Sequence, residues 1–266
     1  MKKINNNYIT ISIIIIVIFL VFYIGNMLLK KNGFENFENE TTIPKIIIQT
    51  WKDDKIPDKY KNDIESVRKY NPDYKYLFFT DDDIETFLKN FYPIYYLTYL
   101  KLPILIQKID FFRYVAIYHY GGFYLDLDMT CLYPFDDLLD YDCVFPVDQN
   151  IKPERCRMKR LKKYCQKGMN ILLGQYAFGA KPKNDFIKTL IDTIHRNIDT
   201  YIEDHKTEGH TLQYVYSSTG PDFVTDVYIE YNKKDEIHIL EYDASQFFGK
   251  YAKHNYYGTW KKNKNG

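Results

Sequence analysis

Gly121-Gly122-Phe123-Tyr124-Leu125-Asp126-Leu127-Asp128 joins a glycine pair, a short β-prone run and two carboxylates one residue apart. On a strand, residues i and i+2 point to the same face. The spacing therefore predicts that Asp126 and Asp128 project together from a strand over residues 123–127, with Leu125 and Leu127 facing the core. Two adjacent carboxylates suit Mg²⁺ or Mn²⁺, with a phosphorylated ligand completing the shell. Taken alone, Asp-x-Asp is equally the solvated end of a strand, and its neighbours give it weight. Just upstream stands Asp110-Phe111-Phe112-Arg113-Tyr114, in a stretch whose pattern predicts a helix over 103–120 stopped by the glycines. Asp110 and Arg113, three apart, share a face of that helix. An ordinary intrahelical ion pair is one reading. The short connection to the aspartates favours the other, in which both side chains meet a ligand there.

Working outward, residues 45–50 (KIIIQT) read as a buried first strand, residues 58–70 as a helix, Asn71-Pro72-Asp73 as a turn and residues 74–79 as a second strand. Asp81 to Asp83 can cap a helix reaching residue 90. This order predicts an α/β sheet of Rossmann type, in which ligands bind beyond the carboxyl ends of strands, where Asp126 and Asp128 stand. Further on, residues 152–167 are densely basic and read as a helix or a mobile acceptor-side loop, by default a solvated basic face. Residues 185–201 have amphipathic helical spacing, Gly220-Pro221 marks a turn, and residues 236–241 are a late strand.

The 266 residues, 45% of them hydrophobic, suffice for one domain with a real core, and a net charge of +1 argues against a nucleic-acid binder. The 27 tyrosines suit a sugar cleft but equally reflect a compositional bias. No charged residue occurs over residues 4–29, and residues 8–24 are mostly Ile, Val, Phe and Leu. That length can span a hydrocarbon core of ~30 Å. No small-x-small site follows, so an uncleaved anchor is read rather than a signal peptide. The basic flanks, Lys2 and Lys3 against Lys30 and Lys31, nearly cancel. The sequon Asn39-Glu40-Thr41 leans toward a lumenal body. The division expected is an anchor at 1–29 (membrane contact through 8–29), a stem at 30–42, a catalytic domain at 43–260 and a tail at 261–266. The location expected is a single-pass, type II protein with its body in the lumen of an ER/Golgi-type compartment. Cys131, Cys143, Cys156 and Cys165 match no zinc-site spacing. Cys156 and Cys165 close a small loop in an oxidising lumen or stay free thiols in a reducing compartment.

With these motifs in place, the chain resembles the family 32 glycosyltransferases, the sugar-binding DXD group. That family includes fungal initiating α-1,6-mannosyltransferases, inositol-phosphorylceramide mannosyltransferases and α-1,4-galactosyl or N-acetylglucosaminyl transferases. More remotely it is similar to the catalytic domains of clostridial glucosylating toxins. The resemblance rests on Ile43-Pro44-Lys45-Ile46-Ile47-Ile48-Gln49-Thr50-Trp51, Asn71-Pro72-Asp73-Tyr74, Thr80-Asp81-Asp82-Asp83, the two central stretches, Thr219-Gly220-Pro221, and His254 with Thr259-Trp260. It implies a GT-A-type fold and retaining transfer of a hexose from a nucleotide sugar, GDP-mannose or a UDP-hexose, to a glycan or glycolipid hydroxyl. It further implies that Asp128 binds Mn²⁺ or Mg²⁺ directly and that Asp126 contacts the donor ribose or the metal shell. Trp51 would lie near the base. Asp110 and Arg113 would hold the transferred sugar, His254 would approach the metal or diphosphate, and Trp260 would close over the diphosphate.

The chain departs from the family at Ile48, where His is frequent, and at Thr259, where Ser is frequent. The later acceptor motif is blurred, leaving Asn170 and Gln175 as candidates. Two other readings start from the same residues. An inactive, membrane-anchored sugar-binding pseudo-transferase would keep the pocket without turnover, with Ile48 its one hint. Asp126-Leu127-Asp128-Met129-Thr130 also fits the first motif of haloacid-dehalogenase-like phosphatases. There the motif should follow the first core strand, whereas here a long stretch of body precedes it.

Overall fold

The computed structural model describes residues 41–209 and 211–258. The anchor at 1–29, nearly all of the stem at 30–42, Thr259, Trp260 and the tail at 261–266 lie outside the described residues. Among the described residues no helix is long and apolar enough to cross a membrane.

Ile46–Thr50 forms strand β1, buried almost throughout, as expected of a largely apolar central parallel strand. A 3-10 turn at Asp58–Tyr60 leads into helix α1, Lys61–Tyr70. Strand β2, Lys75–Phe79, follows the Asn-Pro-Asp turn. Helix α2, Asp81–Phe91, is capped by Thr80 together with Asp83. The Thr80 hydroxyl accepts from the Asp83 N–H, and the Asp83 carboxylate accepts from the Thr80 N–H at 3.0 Å. A helix missed by sequence reading, α3, spans Pro93–Lys101. The long helix α4 then runs Leu105–Tyr120, two residues later than predicted. Pro103 separates them because the residue before a proline avoids the helical region, and Leu102 is extended (ψ 123°).

At Gly121 (φ 66°) and Gly122 (φ 87°) the chain turns from α4 straight into β3, Gly122–Leu125. A Cβ on Gly122 would meet the Ile46 carbonyl oxygen at 2.5 Å. Gly122→Ala is therefore expected to cost about 3 kcal/mol, from the left-handed backbone and the overpacked strand contact together. A urea midpoint measures it.

The remaining strands are β4 (Met129–Cys131), β5 (Cys143–Phe145), β6 (Val147–Asn150), β7 (Ile171–Leu173), β8 (Ala177–Ala180), β9 (Ile237–Ile239), β10 (Phe247–Phe248) and β11 (Ala252–His254). The central sheet has the order β2-β1-β3-β8-β5-β9. It is mixed: β8 runs antiparallel to both β3 and β5, and the other pairs are parallel. The parallel sheet expected from a Rossmann pattern is thus interrupted by one reversed strand. A core of Ile47, Phe123, Leu125, Val144, Ala177 and their neighbours covers one face. Helix α4, buried on nearly all sides, packs against helix α6, Asp185–Arg196, on the other. The predicted helix over 185–201 breaks at Asn197, and α7 continues over Ile198–Glu208.

The basic segment is a helix, α5 (Lys159–Gln166), tied by a disulfide between Cys156 and Cys165. Most of its basic side chains are exposed, as expected by default, but three of them are paired. Arg160, Lys163 and Lys167 pair with Asp222, Asp226 and Glu230 on helix α9, Pro221–Glu230, reached through α8, Leu212–Ser218. Spacings of three and four on α5 meet a spacing of four on α9, so one ionic row faces another. Cys131 and Cys143 are buried free thiols, and burial pushes Cys131 up to about 12.

Candidate active site

The aspartates do not sit on a strand. Strand β3 ends at Leu125, and Asp126, Leu127 and Asp128 form a turn closed by Met129 N–H donating to the Asp126 carbonyl at 3.1 Å. Leu125 and Leu127 are buried as expected. Two contacts hold the turn. The Asp126 N–H donates to the Tyr176 carbonyl at 2.7 Å, and Gln49 Nε2 donates to the Asp126 carbonyl at 3.2 Å. Gln49 is fully buried and is itself fixed by the Tyr76 hydroxyl at 2.8 Å. A polar residue in the apolar run of β1 was the available signal for this role.

Asp110 and Arg113, one α4 turn apart and both 2% exposed, reach this turn from beneath. Arg113 Nη2 lies 3.1 Å from Asp110 Oδ1 and 3.2 Å from Asp126 Oδ1, so the pair is a triad. Arg113 Nη1 donates to the Gln175 carbonyl at 2.9 Å, and its guanidinium covers the Tyr124 ring at 4.5 Å. The Tyr124 hydroxyl donates to Asp126 Oδ1 at 3.0 Å. Asp110 accepts from Thr219 at 2.7 Å and from Gln175 Nε2 at 3.4 Å. Of the two blurred candidates, Gln175 therefore joins the cluster, whereas Asn170 is exposed just before β7. Burial raises Asp110 to about 6 despite Arg113 and Thr219. Burial also raises Asp126, against the opposing pull of Arg113.

On the other side, β11 pairs with β4 and carries His254 opposite Met129. His254 Nε2 is 3.3 Å from Asp128 Oδ1, and the Tyr257 N–H donates to Asp128 Oδ2 at 2.9 Å. Burial alone would push the Asp128 carboxyl up, but His254 and the Tyr257 N–H hold it below its usual value. Ligand atoms of Asp126, Asp128 and His254 all lie within 4.8 Å of one another. The buried His254 Nδ1 has no hydrogen-bond partner among the described residues. A pair of carboxylates with an imidazole beside them, its Nε2 next to Asp128, fits a divalent cation. Ile48 is fully buried in β1, a core position.

Trp51 follows β1 and packs on Tyr60 at 5.0 Å, and Tyr60 in turn packs on Tyr257 at 5.4 Å. The buried Trp51 Nε1 has no partner among the described residues. Trp260, expected to close over this region, lies outside them.

Residues 57–145 match the family profile described as "Glycosyltransferase sugar-binding region containing DXD motif". The stretch is similar to the DXD-type sugar-binding region of that profile. It takes in α4, the glycine pair and both aspartates. The chain is 27% identical over 206 residues to "Inositol phosphoceramide mannosyltransferase 2" of Schizosaccharomyces pombe, covering 77% of this chain and 52% of that protein. It is 40% identical over 118 residues to "Inositol phosphoceramide mannosyltransferase 3" of the same yeast, covering 43% of this chain and 33% of that protein. The chain thus spans about half the length of the first relative and a third of the second. Among solved structures, "PaToxG Glycosyltransferase" is similar with a TM-score of 0.48 and 18% identity, covering 71% of this chain and 70% of that one. Gln49, Tyr124, Gln175 and Thr219 complete the DXD region's contacts, and all but Tyr124 lie outside the matched residues.

Proposed function

We propose that the chain is a metal-dependent glycosyltransferase of GT-A type, moving a hexosyl group from a nucleotide sugar to a hydroxyl of a glycan or glycolipid. The observation that carries this reading is the junction of two constellations at one turn: Asp126, Asp128 and His254 on one side, buried Asp110 and Arg113 on the other. The mannosyltransferase names of the relatives support a GDP-mannose donor and a glycolipid acceptor. The Cys156–Cys165 disulfide supports an oxidising lumen, the setting of a type II body anchored through residues 8–29.

Asp126, Asp128 and His254 would hold the cation, and the imidazole nitrogen beside two carboxylates favours Mn²⁺ over the strictly oxygen-seeking Mg²⁺. When bound, it supplies Lewis-acid neutralisation of the leaving diphosphate. Trp51 offers its face to the base. Asp110 accepts from hydroxyls of the transferred sugar. Arg113 fixes both carboxylates with a charge that no working pH removes. The acceptor hydroxyl attacks the anomeric carbon from the face on which the diphosphate departs. The glycosidic bond forms as the bond from carbon to diphosphate oxygen breaks, and the hydroxyl proton passes to that oxygen. Configuration is thereby retained through an oxocarbenium-like transition state.

The test is release of nucleoside diphosphate by the full chain in detergent with Mn²⁺ and a panel of nucleotide sugars. Metal-dependent turnover of one donor names it. Binding of a donor without turnover would favour the pseudo-transferase. An acyl phosphate on Asp126 would favour the dehalogenase-like reading.

A pH dependence follows from Asp110. Burial favours its neutral form, so acidification through about 6 protonates it and removes the sugar's acceptor. The rate constant kcat/KM for donor hydrolysis is expected to fall on the acid side near that value. In Asp110→Asn the acid limb should be lost along with most of the activity.

A further inference from the structure

Asp63 stands on α1, far from the DXD turn in sequence, with its side chain almost fully enclosed at 4% exposure. Its carboxylate joins two elements that flank Asp128. Thr130, on β4, donates its hydroxyl to Asp63 Oδ1. Asn255 Nδ2 donates to the same oxygen at 3.0 Å and to the Thr130 hydroxyl at 2.8 Å. The Asn255 N–H donates to the Asp128 carbonyl at 2.9 Å, and two residues later the Tyr257 N–H meets Asp128 Oδ2 at 2.9 Å. The same helix makes a second tie. The Ser66 hydroxyl donates to the Asp63 carbonyl at 2.6 Å and accepts the Cys131 N–H at 2.8 Å. Helix α1, strand β4 and the segment after β11 therefore meet at one buried carboxylate.

Pairing with β4 ends at His254. Beyond it, residues 255–257 are held to the DXD turn through Asn255 and Tyr257. A buried carboxylate that accepts two hydrogen bonds is a strong anchor for such a segment. We propose that Asp63 is a positioning residue for the candidate cation site, latching residues 255–257 so that the Tyr257 N–H orients Asp128. This rests on the metal reading above. Asp63 touches neither cation nor donor. It sets the direction of the Asp128 oxygens, as outer contacts do around bound metals.

Mn²⁺ affinity of the full chain in detergent, read by electron paramagnetic resonance of free Mn²⁺, tests this together with amide exchange at Asn255 and Tyr257. Asp63→Ala is expected to weaken Mn²⁺ binding about 10–100-fold. Exchange of the Tyr257 amide should accelerate about tenfold or more, since a charge-assisted bond is released. Asp63→Asn keeps an acceptor oxygen for Asn255 and should restore most of the affinity, which a role in mere stability would not predict. Asn255→Ala, removing the same bond from its other end, should reproduce the loss even where Asp63→Ala fails to fold. In a double-mutant cycle the two effects should not add. Mn²⁺ affinity unchanged in folded Asp63→Ala or in Asn255→Ala would overturn the latch. Affinity unchanged in Asp128→Ala would instead overturn the metal reading on which the latch depends.

Discussion

Asp128→Ala is expected to lower nucleoside diphosphate release about 10²–10³-fold, the usual loss when one preorganised electrostatic contact to a leaving group is removed. The chain should remain folded. Asp128 sits in a turn, and two contacts beside it do not use its side chain: Asn255 N–H to the Asp128 carbonyl, and β11 against β4. Alanine leaves both in place. What it removes is a carboxylate held ionised by His254 and the Tyr257 N–H. A urea midpoint near that of the parent, with Mn²⁺ affinity lost, is the expected pair of results. Turnover within a few-fold of the parent would assign Asp128 to scaffolding. Asp126→Ala is a poorer probe, because it also takes a partner from Arg113.

Arg113→Met should be the most damaging change to stability, by about 3–5 kcal/mol, because removing one member of a buried ionic group leaves the others uncompensated. Asp110 would remain at 2% exposure with only Thr219 and Gln175 to solvate it. Arg113→Lys should recover little. One ammonium cannot reach Asp110, Asp126 and the Gln175 carbonyl while lying over the Tyr124 ring, a set that the planar guanidinium serves at once. Arg113→Met combined with Asp110→Asn should regain part of the loss, since the neutral amide needs no counter-charge. Chemical denaturation of the three variants checks the order. Equal midpoints for Arg113→Met and the parent would mean that the triad is solvated in solution.

The strands and helices that carry the site were legible because their signals are local. An unbroken Ile run gave β1, and a glycine pair after a long apolar stretch gave the end of α4 and the start of β3. Asp110 and Arg113 were legible as neighbours because helical spacing brings i and i+3 together. The geometry of Asp126 and Asp128 was misread. Period-2 alternation cannot see that a strand stops at Leu125 and a tight turn carries on. The partners that lock the site were hidden for a different reason. Gln175, Thr219 and Asn255 are ordinary polar residues until β8, α9 and β11 bring them against α4 and β4. The pairing of the basic segment was hidden in the same way, since its complement lies on a helix some sixty residues away.

The small sheet that brings His254 onto the DXD turn closes a site gathered from Gln49 at one end to Tyr257 at the other. An unfolded chain scatters these groups, so it cannot offer the same donor set to a cation or a nucleotide sugar. Ligand binding and folding are then linked by mass action: a ligand present at a hundred times its dissociation constant should add about 2.7 kcal/mol of stability. The melting temperature becomes a read-out of recognition. A nucleotide sugar that raises it only alongside Mn²⁺ reveals a donor even where the acceptor is still unknown.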